Sequence, residues 1–538
     1  MSKRPSSPVG NGASGGKARA AAAGPSSQKP TAPRRKDEDG DEGMGQFEDD
    51  FEDEFEDDAE NGEVIDNASD NGDMEIDGVK IDGEIQRPSD DEDEPEVDDT
   101  QAYIPGVGAP LQEGQQLEPD QSAYEMLHRL NVTWPCLSFD VLRDQLGSAA
   151  ERQKYPQTAY FVAGTQADTA KNNELMVMKA SSMHKTQKDG AEEDDDDDED
   201  EDDDGLDDDA ILEYKSIPHL GGINRVRAAP VAPPVSSLEP SLDPYPVATW
   251  SELGQVDIWD VRPLFNALDR PGTSYDRKGI RPMHTVKNHT IEGYAMDWAG
   301  SGGDGGSGKA SSLRLLTGDL HSKIFLTTSS QSGFTTHATP FTSHTSSVED
   351  LQWSPKETTV FASCSADRSV RVWDVRVKNR RSVISVADAH EQDVNVISWN
   401  KNTDYLLVSG GDEGGLNVWD LRNFKPSSSA RPTPVASFAW HTAPISSVEW
   451  HPTEDSVFAA AGRDDQVTLW DLSVEQDDEE QGEMQAYQGP GGREVPHQLL
   501  FCHHGASEIK EVHWHPQISG MLMTTSADGF HLFKTISV

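Results

Sequence analysis

The stretch HTSSVEDLQWSP (residues 344–355), followed by VFASCSADRSVRVWDVR (residues 360–376), contains a pattern that recurs along the chain. An alternating run ends in tryptophan, and a turn leads into a short run of small and apolar residues. A polar turn with Asp367 then precedes a second alternating run, which ends in Trp373 and Asp374. Alternation with a period of two is typical of strands that bury one face, so the unit is expected to be a small antiparallel sheet.

The same pattern returns in further copies of this unit. Two clear copies begin at His390 and His441, and weaker copies begin at Pro244, Asn288 and Gly505. Upstream segments also have strand character, although they lack the Trp-Asp ending. Repeats of about 40–50 residues with Trp-Asp endings are characteristic of WD40 propellers. The sequence therefore predicts an all-β fold, a seven-bladed WD40 β-propeller.

The end of the chain raises the question of how the ring closes. The last repeat stops at Val538, just after its third strand. An open strand edge at this place would invite aggregation. We expect residues 137–142 (LSFDVL) to supply the missing outer strand and to close the ring.

Several polar side chains in the repeats resemble site residues but are expected to belong to the scaffold. In WD40 proteins the loop histidine, the turn aspartate and the tryptophan form hydrogen bonds within a blade, as His344, Asp367 and Trp373 would here. The histidines near Cys502 and Trp514 resemble metal ligands, but a histidine also follows the corresponding tryptophan of an earlier repeat. We therefore predict no metal site, no cofactor and no catalytic residues.

The charge of the chain is concentrated in blocks. The net charge is −52, of which residues 37–100 carry −29 and residues 192–209 carry −16, whereas residues 1–36 carry +8. Blocks of like charge bury too little apolar surface to offset chain entropy. We therefore predict that residues 1–100 and about 187–210 lack fixed structure. Their sign favours a cationic partner over a nucleic-acid backbone or an anionic membrane surface.

The acidic stretch FEDDFEDEFEDD (residues 47–58) places three aromatic side chains four residues apart, at Phe47, Phe51 and Phe55. One interpretation is that these rings insert into apolar pockets of a basic client while the carboxylates cover its cations. The other is that the repeat is low-complexity sequence with no pocket to fill. Both interpretations are open at this point.

Residues 101–133 are predicted to be a linker and an N-terminal helix, before a propeller that spans residues 134–538. Apolar residues at i, i+3, i+4 and i+7 mark one face of a helix over residues 122–130, and Ser122 with Glu125 fits a capping box. The apolar residues of this face are Ala123, Met126, Leu127 and Leu130. A helix of this length is marginally stable in water, and it is therefore expected to dock on the propeller. It is either a brace or half of a partner groove.

A helix that leads into a Trp-Pro-x-Leu strand (Trp134, Pro135 and Leu137), followed by seven blades, resembles the histone-binding WD40 family of the retinoblastoma-binding proteins. The acidic N-terminus and SAYEMLHRL with WPCLSFDVLRD look most like one branch, the glutamate-rich WD-repeat proteins. The resemblance implies that a basic client helix lies between the N-terminal helix and an acidic loop. The partner-binding residues would then be Tyr124, Leu127, His128, Asp477, Asp478, Glu479 and Glu480, joined by the three phenylalanines.

The same resemblance implies a function. Members of this branch are chaperones of a basic ribosomal protein, the third protein of the large subunit, in the nucleus and nucleolus. Histone or chromatin binding is the alternative, and a substrate receptor of a cullin-type ubiquitin ligase is a more distant one. The distant alternative is suggested by Trp-Asp-x-Arg at residues 259–262, 373–376 and 419–422. We expect a monomer that binds neither membranes nor specific nucleic-acid sequences and is not an enzyme.

Overall fold

Seven four-stranded antiparallel sheets form the blades of a β-propeller. The computed structural model describes residues 119–186, 209–231, 241–299, 313–424, 432–474 and 495–538. The predicted seven-bladed propeller is therefore confirmed. Within the described residues, no helix is long and apolar enough to cross a membrane.

The strands of the first four blades run in order from the innermost strand outward. Blade 1 contains β2 (Cys136–Leu142), β3 (Gln157–Thr165), β4 (Glu174–Met183) and β5 (Ile211–Pro218). Blade 2 contains β6 (Ile223–Ala228), β7 (Pro246–Ser251), β8 (Val256–Asp260) and β9 (His284–Val286). Blade 3 contains β10 (Met296–Ala299), β11 (Arg314–Gly318), β12 (Ile324–Ser330) and β13 (Gly333–Thr336). Blade 4 contains β14 (Val348–Trp353), β15 (Val360–Ser365), β16 (Val370–Asp374) and β17 (Ile384–Val386).

The other three blades complete the ring. Blade 5 contains β18 (Val394–Trp399), β19 (Leu406–Gly411), β20 (Leu416–Asp420) and β21 (Ala436–Phe438). Blade 6 contains β22 (Ile445–Trp450), β23 (Val457–Gly462), β24 (Val467–Asp471) and β25 (Leu499–His503). Blade 7 contains β26 (Glu511–Trp514), β27 (Met521–Ser526), β28 (Gly529–Thr535) and, outermost, β1 (Tyr124–Leu130). The helices of the described chain are α1 (Arg262–Asp269) and two 3-10 turns, Gln121–Ala123 and Leu421–Asn423.

Hydrogen bonds between the innermost strands connect the blades around the central channel. In six of the seven junctions, a side chain of one innermost strand accepts a backbone N–H of the next blade. The acceptor and donor residues are Asp140 and Ala228, Asp297 and Trp353, Asp350 and Ile397, Ser398 and Trp450, Glu449 and Trp514, and Glu511 and Phe139. At the junction of blades 2 and 3 the indole of Trp298 donates to the carbonyl of Arg227 instead, at 2.9 Å. These buried side chains and amides are thus satisfied by the neighbouring blade.

Each clear repeat contains a buried histidine that is held within its blade, as predicted. In blade 4, Nδ1 of His344 lies 3.0 Å from a carboxylate oxygen of Asp367, and its Nε2 lies 2.6 Å from Oγ of Ser363. The indole of Trp373 donates to the same Oγ at 2.8 Å. The repeat motif is therefore a structural network, and the prediction that these side chains are scaffold is confirmed for this blade.

The helix predicted over residues 122–130 is wrong. A 3-10 turn occupies Gln121–Ala123, capped by Asp120 rather than Ser122, and residues 124–130 form β1. This strand pairs antiparallel with β28, with a register shift between Tyr124 and Met126. The apolar pattern fits a helix face, but an isolated helix of this length is marginal, whereas β28 offers an open edge for a full ladder.

The predicted closing strand is also wrong. Residues 136–142 form the innermost strand of blade 1, and β1 supplies the outer strand of blade 7. Thus the segment one step earlier in the chain closes the ring. The physical reason is chain order, because a strand that closes the last blade must precede the first innermost strand. Among the described residues, 124–130 are the strand in that position.

An insertion between β8 and β9 covers the outer edge of blade 1. Helix α1 buries Leu264, Phe265 and Leu268 in the apolar cluster between blades 1 and 2. Further along, the hydroxyl of Tyr275 accepts from the amide of Ser216 at 3.1 Å and donates to its carbonyl at 3.0 Å. These bonds occupy backbone groups of β5 that a further strand would need.

Candidate functional site

Strand β1 carries three of the predicted partner-binding residues, and the structure places them differently. Tyr124 is 5% exposed, and its hydroxyl lies 2.8 Å from Nδ1 of His503. Its ring packs edge-on against Phe501 and Phe533, with centroid distances of 5.3 and 6.1 Å. Burial raises the pKa of the Tyr124 hydroxyl. The side chain therefore joins blade 6 to blade 7 and does not face a partner.

Leu127 and His128 face a groove at the rim of the propeller. The groove has a volume of about 740 Å³ and lies between β1 and the start of β5. From blade 1 it is lined by Asp209, Ala210 and Leu212. Two of the three predicted site residues on β1 therefore do line a cavity, but the opposite wall comes from blade 1.

A second cavity continues this groove toward the end of β1. Its volume is about 560 Å³, and Asn131 lines both cavities. The apolar side chains in this part are Val132, Trp134, Met176 and Tyr214. Tyr214 is 51% exposed. We call the two cavities together, between residues 127–134 and 209–214, the rim groove.

The ends of the acidic insert are fixed at this groove. Before the insert, Nε2 of His128 donates to the carbonyl of His184 at 3.0 Å, and the amide of Thr186 donates to the carbonyl of Glu125 at 3.0 Å. After it, the chain returns at Asp209, which lines the groove. Residues 192–209 contain sixteen acidic side chains and no basic one. The last residue of this acidic run, Asp209, therefore lies at the groove.

The remaining predicted site residues lie outside the described residues. These are the acidic loop residues Asp477, Asp478, Glu479 and Glu480, and the tail residues Phe47, Phe51 and Phe55. The described chain does place the strand that follows the acidic loop, β25, beside β1, because Tyr124 contacts both Phe501 and His503. The relation of β1 to that loop remains a prediction.

The three Trp-Asp-x-Arg arginines differ in accessibility. Arg262 is buried, donates to the carbonyl of Asp243 at 2.9 Å and lies over the ring of Tyr245. Arg376 and Arg422 are exposed, but each folds back to the aspartate of its own motif, at 2.6 Å. The first arginine is therefore part of the core.

Two of the suspected metal-ligand histidines, His503 and His513, have partners on other strands. Nε2 of His503 lies 3.0 Å from Nδ1 of His531, and Nδ1 of His513 lies 3.0 Å from Glu449. Within the part of the chain that the structure describes, no three histidine, cysteine, aspartate or glutamate side chains are grouped as metal ligands. These histidines therefore connect strands.

Most of the rim groove was missed by the predictions from sequence. Leu212 and Tyr214 follow the acidic run directly, as alternate residues of ILEYKS. Large apolar residues directly after sixteen acidic side chains could have indicated a binding surface from the sequence alone. The sequence could not show that these residues lie opposite Leu127, because that position depends on which strand closes the ring.

Comparison with known families supports the repeat and the N-terminal resemblance. The family model for histone-binding protein RBBP4, or the equivalent component of the CAF1 complex, matches residues 114–184. The family model for the WD domain, G-beta repeat, matches residues 335–374, 381–420 and 432–471. The first match covers the described part from β1 to β4, which includes one wall of the rim groove.

Individual relatives extend over most of the chain. Ribosome assembly protein rrb1 of Schizosaccharomyces pombe is 45% identical over 477 residues, which are 88% of this chain and 93% of the relative. Glutamate-rich WD repeat-containing protein 1 of Dictyostelium discoideum is 43% identical over 433 residues, which are 79% of this chain and 83% of the relative. Protein HEAT STRESS TOLERANT DWD 1 of Arabidopsis thaliana is 38% identical over 461 residues, which are 82% of this chain and 92% of the relative. The chain therefore belongs to the family of these ribosome assembly and glutamate-rich WD-repeat proteins, a branch of the RBBP4-like histone-binding WD40 proteins.

Proposed function

We propose that this protein is a chaperone and nuclear escort of a basic ribosomal protein, and that it acts in assembly of the large ribosomal subunit. The observation that carries the proposal is the rim groove, which presents the apolar side chains of Trp134, Leu212 and Tyr214 and is attached to a run of sixteen acidic residues. The name of the relative from Schizosaccharomyces pombe, a ribosome assembly protein, supports the same role. The client that we propose is the third protein of the large subunit.

The physical basis of such a role is charge neutralisation. A ribosomal protein before assembly is cationic and binds any phosphate backbone, with an affinity dominated by counterion release. Acidic segments such as residues 37–100 and 192–209 would compete for its lysines and arginines. An apolar groove would cover surface that is later buried in the ribosome. The acidic blocks are proposed to order only on binding, which carries an entropic cost.

The test is purification of the full chain in the presence of ribonuclease, followed by identification of the stoichiometric client. We expect one basic large-subunit ribosomal protein, retained without RNA. Nucleolar and nuclear location of the complex is part of the same proposal. Recovery of core histones as the main partner would contradict it.

Histone binding is the second candidate, because the family model for RBBP4 and its CAF1 counterpart matches residues 114–184. A histone also presents basic helices, so the same acidic and apolar surfaces would suit it. Direct competition separates the candidates: the ribosomal protein and an H3–H4 complex are added together to the full chain. We expect the ribosomal protein to displace the histones at equal concentration.

The phenylalanines of residues 47–58 provide a further test. If they are anchors, each buried ring contributes about 1.5–3 kcal/mol before ordering costs, and this part survives added salt. Charge alone is screened beyond about 10 Å at 0.1 M salt. The triple change of Phe47, Phe51 and Phe55 to Ser should therefore reduce client solubilisation at moderate salt. The matched triple change to Leu should retain it, and equal protection by the Ser variant would contradict the anchor role.

A further inference from the structure

We propose that the rim groove binds an amphipathic, basic α-helix, with the apolar face of the helix against Trp134, Leu212 and Tyr214. This site differs from the one between β1 and the acidic loop that the family resemblance implies. The inference rests on the proposed function only in assigning the helix to a client protein. Its chemistry follows from the groove itself.

Backbone groups at one position beside each wall of the groove are already bonded. On blade 7, the carbonyl of Glu125 in β1 accepts from Thr186. On blade 1, both backbone groups of Ser216 in β5 bind the hydroxyl of Tyr275. Strand addition requires a free row of backbone groups. The groove instead offers side chains, which is the surface that an amphipathic helix recognises.

The side chains of the groove match one face of a helix. Alternation along β5 places Leu212 and Tyr214 on the same side of the strand, toward the groove, and Ile211 on the other. Tyr214 is 51% exposed, so half of its surface is free to be covered. With Trp134 and Met176 it forms an apolar strip along the second cavity. Anchors spaced at i, i+3, i+4 and i+7 on a helix would cover such a strip.

The charge near the groove selects a basic helix. Asp209 and Glu174 line it, but Glu174 is already paired with Arg277, and Arg129 is the one Lys or Arg side chain among its lining residues in the described chain. The preference for a basic helix therefore comes from Asp209 and the acidic run that ends there. Asp209 is exposed and ends a run of sixteen acidic side chains. Electrostatic complementarity of this kind raises association rates and rejects acidic partners. An acidic or neutral amphipathic helix should therefore bind less well.

The experiment measures binding of two labelled synthetic peptides to the full chain at about 0.15 M salt. Both contain the same leucines and lysines over about four helical turns. One carries leucine at i, i+3, i+4 and i+7, and its isomer alternates leucine with lysine as a strand would. We expect the striped peptide to bind at least tenfold more tightly. Equal binding would show that only charge matters, and tighter binding of the alternating isomer would show strand addition; either result overturns the proposal.

Two substitutions on one strand locate the site. Tyr214→Ser should weaken binding of the striped peptide about tenfold. Ile211→Ser is the matched control, because Ile211 is 53% exposed and lies on the opposite side of β5. Both residues are half-exposed, so neither change should alter the thermal melt. Equal loss in both variants, or no loss in Tyr214→Ser, would overturn the proposal.

The outcome separates this inference from the proposed function. If Tyr214→Ser loses the striped peptide but the full chain never captures a ribosomal protein, the groove remains a helix site and the proposed client is wrong. If the variant still captures a ribosomal client at full strength and still binds the peptide, the client binds elsewhere and the groove inference fails.

Discussion

Ser363 shows at the scale of one residue how a blade is held together. Its Oγ lies 2.6 Å from Nε2 of His344 and accepts the indole N–H of Trp373 at 2.8 Å. All three side chains are buried. A buried polar group that loses its partner costs about 1–3 kcal/mol, because its desolvation is no longer compensated. The hydroxyl thus satisfies two groups at once.

We expect Ser363→Ala to lower the free energy of unfolding by about 2 kcal/mol, measured by urea titration. The matched control is Ser385→Ala in the outer strand of the same blade, where the side chain is exposed. That variant should unfold like the parent. Equal midpoints for the two variants would mean that the network is not a source of stability.

The histidines His531 and His513 give the protein two opposite responses to pH. Burial and nearby Arg129 lower the pKa of His531 to about 4. Burial lowers the pKa of His513, but Glu511 and Glu449 together outweigh burial and raise this pKa to about 9. An unfolded histidine titrates at a pKa of about 6.5. His531 therefore reduces stability as the pH falls from about 6.5 toward 4, whereas the stability contributed by His513 is present below about 6.5 and lost as the pH rises through 9.

The acid response is testable by replacing His531 with Gln. The parent should lose about 2–3 kcal/mol between about pH 6.5 and 4 from this one group, and the variant should lose less over the same range. Thermal melts at a series of pH values measure the difference. His497→Gln, at an exposed position, is the control and should follow the parent. Parallel acid limbs in all three proteins would contradict the assignment.

At the scale of elements, the closing strand is the most consequential one. Strand β1 buries Met126 and Leu130 against β28 and joins blade 6 through Tyr124. It also lies about 400 residues from its partner strand in the sequence, so its loop closure carries an entropic cost that grows slowly with length. Without it, β28 would present an unpaired hydrophobic edge.

A chain that starts at residue 134, the predicted propeller boundary, should therefore be unstable and self-associating. The control starts at residue 112, which removes the acidic tail but keeps β1. We expect the longer chain to melt like the parent and to be monomeric by light scattering. The shorter chain should melt lower and form higher oligomers. Identical behaviour would mean that the ring closes without β1.

At the scale of the whole molecule, Glu511 is a junction of three blades. Its side chain is fully buried and lies 2.6 Å from Arg225 and 2.7 Å from Arg227, both on β6. Its other oxygen accepts the amide of Phe139 at 2.9 Å. Burial raises the pKa of this carboxyl, but the two guanidinium groups outweigh burial and hold it well below the usual range. One carboxylate thus connects blade 7 to blades 1 and 2.

Glu511→Gln keeps the shape but leaves two largely buried arginines without their counterion. Removing one partner from a buried ion pair typically costs about 3–5 kcal/mol. We expect a loss of this order in urea titration. The control is Glu508→Gln, three residues earlier, whose exposed carboxylate pairs with Lys510 at 2.9 Å. The control should keep the parent midpoint, and a similar loss in both variants would argue against the junction.

The sequence by itself determined the repeat and therefore the blades. Each clear repeat buries its own Trp and His through contacts within about 30 residues, as in His344, Asp367 and Trp373, so local spacing is sufficient to reveal it. The acidic blocks were equally visible, because charge is a property of composition. Only the tertiary structure decided which segment closes the ring. The apolar residues of 123–130 suit a helix face and a strand alike, and the open edge of β28 selects the strand. The rim groove was hidden for the same reason: its walls, residues 127–134 and 209–214, meet only after that distant pairing has formed.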